Sequence, residues 1–162
     1  MLFHQLTKLQ NSLVGRVYTK GTIFLDKIAS PLFMLFIRFW MASIFWYSGL
    51  TKISNWSATL YLFDNVYHVP DLSPTLAAYL STLVEIVCPV LLVFGIMSRL
   101  AAIPMLVTTA VIQFTFLKSI DHTYWAILLG MILVNGPGQL SVDCFLKKKL
   151  SSIGLLPKSW TM

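Results

Sequence analysis

Between Ser73 and Met97 the sequence holds a single charged residue, Glu85, and the run is long enough to cross a membrane as one helix. A hydrocarbon core about 30 Å thick takes roughly 20 helical residues at 1.5 Å each. Three other stretches approach or meet that length, so spans are expected at 31–53, 74–97, 100–117 and 122–144. In lipid every backbone N–H and C=O must find its partner within the protein, and for segments of this length that means helices. The expected fold class is all-α, an integral membrane four-helix bundle. Composition agrees, with 57% hydrophobic and 11% charged residues and a mean hydropathy of +0.76, far from a soluble domain. No repeat or long linker divides the chain.

Charge gives the expected orientation. Lys8, Arg16, Lys20 and Lys27 precede the first span, Arg99 lies in the turn between the second and third, and Lys147, Lys148, Lys149 and Lys158 follow the fourth. With four spans these nine of the twelve basic residues fall on one side, and the excess of Lys and Arg marks that side as cytoplasmic. Both termini are therefore expected in the cytoplasm. The net charge of +6 is a topology signal, and no basic and aromatic pattern of a nucleic-acid-binding fold accompanies it.

The ends of the chain are read separately. Leu2, Leu6, Leu9, Leu13 and Val17 recur at helical spacing with Lys8, Arg16 and Lys20 on other faces, which predicts an N-terminal amphipathic interfacial helix. The expected organisation is an interfacial segment at 1–30, a transmembrane domain at 31–146 and a basic cytoplasmic tail at 147–162. Trp56, Leu60, Phe63 and Tyr67 share helical spacing between the first two spans. They are expected to lie in the outer interface, within an aromatic belt that includes Trp46, Tyr47, Tyr79, Tyr124 and Trp125.

Polar residues inside the spans carry the functional reading. An ionisable side chain in hydrocarbon costs at least about 2.5 to 3.5 kcal/mol, so Arg38 and Glu85 should face the bundle interior and find partners. Counted inward from the span ends, the two come close enough to predict a buried Arg38 to Glu85 contact. Lys52, the other candidate partner, is expected to snorkel from the outer end of its span. Arg38, Ala42, Phe45, Gly49 and Lys52 share one stripe of the first span; Ala78, Ser81, Glu85, Cys88, Leu92 and Gly95 share one of the second. Small residues on both allow close helix approach. Pro89 removes the hydrogen bond to the carbonyl four residues earlier, which belongs to Glu85 itself.

Gln113 reads as an interhelical hydrogen-bonding residue. The fourth span is broken by Asn135-Gly136-Pro137-Gly138, and irregular backbone at that depth must be buried or line a wet cavity. Arg38 is placed to cap its carbonyls, and Asp143 to meet Arg99 or Arg38. The expected polar cluster is Arg38, Glu85, Gln113, Asn135 and Asp143. Cys88 and Cys144 form no CxxC pair and read as packing residues. His68 and His122, with neighbouring aspartates, are at most a weak surface metal site. No residue is assigned a catalytic role.

These residues carry a resemblance. Arg38, the segment Ser48-Gly-Leu-Thr-Lys-Ile53, Glu85 followed by Pro89-Val-Leu-Leu-Val-Phe-Gly95, Arg99, and Gly136-Pro-Gly-Gln-Leu-Ser-Val-Asp143 resemble the DoxX family of small four-helix bacterial membrane proteins. Ser48, Gly49, Lys52 and Arg99 are its motif residues near the membrane surfaces; Gln139 stands where a basic residue is expected. With Trp56, Thr59, Leu60, Phe63, 67–70 and 76–80 added, the chain is most similar to the HvfX-like subgroup, associated with maturation of copper-binding ribosomal peptides. The resemblance implies a bacterial inner-membrane protein that acts as a non-catalytic subunit or adaptor of a redox or copper-stress system, with a protein partner or as a homo-oligomer. Copper would then be met only through a partner. Two alternatives stand beside it. One is a quinone-linked oxidoreductase subunit holding a quinone among Arg38, Glu85 and Asn135. The other is a small proton-coupled transporter working through Glu85, against which tight pairing of that carboxylate would argue.

Overall fold

The computed structural model describes residues 13–67, 69, 72–115 and 118–153. Among them the secondary structure is helical, with no strand. The chain divides between Phe33 and Met34 into two units. In the first, α1 (Leu13–Phe24) leads into a π-helical turn (Leu25–Ala29) and the start of α2 (Ser30–Ser54). Gly15 and Gly21 sit inside α1 without ending it. Val14, Val17, Tyr18, Ile23 and Phe24 are exposed along it; the leucines at 2, 6 and 9 that define the expected interfacial helix lie outside the described residues.

The second unit holds the rest of α2, then α3 (Trp56–Asn65), α4 (Pro74–Phe94), α5 (Ser98–Thr115), α6 (Ile120–Asn135) and α7 (Val142–Ser152). By length and apolar composition, three helical stretches suffice to cross a membrane, those containing α2, α4 and α5. α6 is apolar but has 16 residues. The stretch expected as one span at 122–144 is thus two helices, separated by the Gly-Pro-Gly break.

Local chemistry sets the helix ends. Ser73 caps α4, its hydroxyl accepting from the Leu76 N–H with Pro74 at the first turn, where a missing N–H costs nothing. At the other end Gly95 takes φ +70°, its N–H donating to Leu92 O and that of Ile96 to Leu91 O. This is a Schellman closure, which needs a left-handed residue. The turn into α5 therefore lies at Gly95 to Met97, ahead of the Ser98-Arg99 turn expected from the sequence, and Arg99 stands in the first turn of α5.

The core is a layer of Met34, Ile37, Met41, Ala42 and Phe45 from α2, Cys88 and Leu92 from α4, Ala101, Ala102 and Met105 from α5, and Leu129 and Ile132 from α6. Outward faces carry exposed Phe39, Leu83, Val87, Val90, Val107 and Ile127, an apolar exterior suited to lipid. A second cluster joins Phe63 of α3 to Ala77 and Ala78 of α4, with Trp56, Leu60 and Tyr67 against it. Trp56 and Tyr79 pack with ring centroids 4.6 Å apart. The aromatic stripe of α3, expected as an interfacial anchor, is therefore in large part a packing face that covers one end of the bundle.

Candidate functional site

Glu85 sits midway along α4 and is 1% exposed. Its carboxylate is held by Lys52, whose Nζ lies 2.8 Å from Oε1 and 2.6 Å from Oε2. The third ammonium donor goes to Ser48 Oγ at 3.1 Å, one helical turn back. The Lys52 side chain is only 15% exposed because α3 lies over that end of α2, with Thr59 Oγ1 donating to Lys52 O. The Lys52 ammonium is turned inward rather than towards solvent, onto the buried carboxylate.

The expected contact between Arg38 and Glu85 is absent. Arg38 is level with the far end of α4: its Nη2 donates to Val93 O at 3.3 Å, and its Nη1 to Pro137 O at 2.7 Å. From Glu85 to Gly95 is ten residues, about 15 Å of helix, too far for an arginine side chain to bridge. Counting depth from Pro31 misplaced the register, since Arg38 is level with Val93 near the end of α4.

Gly49 explains how the two helices meet at the Lys52 level. A Cβ there would stand 2.8 Å from Ile86 Cδ1 and 3.1 Å from both Glu85 Cβ and Glu85 O. The carbonyl released by Pro89 thus faces the bare Cα of Gly49, where a weak C–H···O contact can partly satisfy it. Ser48, Gly49, Lys52, Glu85 and Pro89 form one constellation. The i, i+4 spacing of Ser48 and Lys52 beside a glycine was the sequence signal for it.

Beside the pair lies a cavity of about 380 Å³ between α3, α4 and α5. The Lys52 stem and Tyr67 stand in its wall with Phe63, Val84, Pro104 and Val107. Burial, and then the negative charge of Glu85, push the Tyr67 phenol above its ordinary 10.0, as expected when the charged form is disfavoured twice. Sequence reasoning placed Tyr67 in an interfacial pattern and in the segment 67–70 of the resemblance, and did not foresee the cavity.

The rest of the expected polar cluster lies elsewhere. At the opposite end of the bundle, charged side chains meet helix ends rather than one another. Arg38 serves the Val93 carbonyl near the end of α4 and Arg99 Nη2 donates to Val134 O at the end of α6. Asp143 accepts from the N–H groups of Met97 and Ser98 at the start of α5. Each sign matches the partial charge of its helix end. Gly136 and Gly138, both with φ above +80°, carry the break past Arg99 and Met34 respectively. Asn135 is exposed at the end of α6 and makes no shared site with Glu85.

Gln113 belongs to a third place. Its Oε1 accepts from Ser119 N and lies 2.9 Å from His122 Nδ1, tying α5 to the start of α6. His122 is buried and packs edge-on to Trp125 at 5.0 Å. His68 is outside the described residues. No group of three or more His, Cys, Asp or Glu side chains suited to a metal occurs among the described residues. Cys88 lies in the core and Cys144 is half-buried in α7.

A sequence model of DoxX matches residues 33–118, more than half of the 162-residue chain. The chain belongs to the DoxX family. No curated protein and no solved structure matches it. The matched range of this DoxX membrane protein contains Lys52, Glu85, Pro89 and Arg99. The closing segment 136–143 lies beyond it.

Proposed function

We propose that this DoxX protein is a non-catalytic subunit or adaptor in the bacterial inner membrane, serving a redox or copper-peptide maturation system through a protein partner. The observation that carries this reading is the saturation of the Lys52–Glu85 pair. All three Lys52 donors and both Glu85 oxygens are engaged within the site, so the pair fixes α2 against α4 and offers no open acid or base. The copper association rests on the HvfX-like resemblance, and copper itself would be bound by the partner.

A quinone-linked subunit is the second reading. It is favoured by the apolar cavity beside Tyr67, whose size and lining suit part of a hydrophobic ligand. That cavity replaces the Arg38, Glu85 and Asn135 pocket envisaged from sequence.

Gentle detergent purification from native membranes separates the two. Co-purification of a protein partner, with redox activity seen only in its presence, is the expected result; a protein that emerges alone and empty overturns the adaptor reading. For the second reading, extracted quinone should vanish in a Val84→Trp variant that fills the cavity while the partner is retained. Quinone content unchanged by that substitution excludes the cavity as its site.

A further inference from the structure

α7 is unlike the other helices of its unit. None of its residues is buried, and it is fixed to the bundle through its first turn, where the Asp143 N–H donates to Gly95 O and Ser141 caps the helix through the Cys144 N–H. Val142, Leu146, Leu150 and Ile153 recur at helical spacing and are all exposed, with Phe145 beside them. Lys147, Lys148 and Lys149 occupy the remainder of the helix. An apolar stripe beside a lysine cluster, on a helix with no buried residue, is the pattern of a segment lying in the lipid interface.

Next to it is a groove of about 810 Å³ between the α4–α5 turn, the break after α6 and the inner side of α7. Arg99, Asn135, Gln139, Asp143, Lys147 and Lys148 line it. Both Asp143 oxygens are taken by the N–H groups that start α5. Arg99 uses Nη2 on Val134 O and keeps other donors, and neither lysine at 147 or 148 is engaged among the described residues. Three cations and two amide side chains thus face one carboxylate already committed.

We propose that this groove binds the phosphate of an anionic phospholipid, with α7 lying in the headgroup layer and its apolar stripe among the upper acyl chains. Arg99 and the two lysines supply the charge, and Asn135 and Gln139 supply neutral hydrogen-bond donors. A free phosphate would satisfy the groove alone. A lipid fits both features, because the apolar stripe holds α7 at the bilayer surface, where headgroup phosphates are the anions within reach of the groove on its other face. Basic pockets at the membrane surface recognise anionic headgroups in this way.

Native mass spectrometry of the full chain in detergent tests the proposal, with phosphatidylglycerol, phosphatidylcholine and inorganic phosphate as probes. Phosphatidylglycerol should be retained in preference to phosphatidylcholine. Lys147→Gln and Lys148→Gln should each weaken that retention about fivefold. Lys149→Gln removes the same charge from the same helix outside the groove and should have less than about a twofold effect. All three lysines are exposed, and unchanged thermal unfolding of the variants checks that the fold is intact. Equal retention of the two lipids, or an equal loss with Lys149→Gln, overturns a localised site. Displacement of the lipid by inorganic phosphate would identify a free anion as the ligand and overturn the lipid assignment.

Discussion

Lys52 and Glu85 show why pairing inside a membrane protein follows register more than chemical preference. Arginine is the better bidentate partner for a carboxylate, yet Arg38 stands at the wrong level and Lys52 at the right one. The cost of breaking such a pair exceeds the benefit of having it, because one charge is left buried and alone. Lys52→Met and Glu85→Leu should therefore each destabilise the detergent-solubilised protein by about 3 to 5 kcal/mol, while the double variant should recover most of that loss. Thermal unfolding across the double-mutant cycle measures it. Additive losses would mean that the two side chains do not stabilise each other.

Among the elements, the helix ends determine where the charges go. Arg38, Arg99 and Asp143 lie where unpaired carbonyls or N–H groups require an opposite partial charge. Gly95 sits where these contacts meet. It needs φ +70°, and a Cβ there would come within 2.5 Å of Ser141 Cβ and 2.8 Å of Arg38 Nη1. Gly95→Ala should cost about 1 to 3 kcal/mol, since it strains the backbone and displaces Arg38 from its carbonyls. Gly130, inside α6 with nothing within 4 Å of a Cβ, is the control: Gly130→Ala should be neutral or stabilising by up to about 1 kcal/mol. The unfolding midpoint should fall for Gly95→Ala and hold or rise for Gly130→Ala; a Gly95→Ala midpoint that does not fall would show that the Gly95 contacts carry little energy.

At the scale of the whole molecule, the turn after α4 and the start of α7 share one end through Asp143, while α3, Tyr67 and the cavity lie towards the other. If the Lys and Arg distribution sets orientation as expected, cysteines introduced at Met97 and Ser152 should react with an impermeant thiol reagent only from the cytoplasmic side, and one at Asp64 only from the outside, in a background lacking Cys88 and Cys144. Labelling of the Met97 and Asp64 positions from the same side would remove the proposed topology.

Periodicity and apolar length are properties of the chain itself. The sequence alone therefore determined the helical class and the membrane character. It also determined the inward stripes of α2 and α4, because a 3.6-residue repeat fixes which side chains share a face wherever the helix is placed. Pro89 and the Gly-Pro-Gly break were legible for the same local reason. Only the tertiary structure decided what each inward charge meets. Lys52 is half-buried because α3 folds over it, Arg38 is level with the end of α4 rather than with Glu85, and Gln113 joins His122 across a turn. Those outcomes depend on the axial offset between neighbouring helices, which is set by packing at Gly49 and Gly95 and by the caps at their ends.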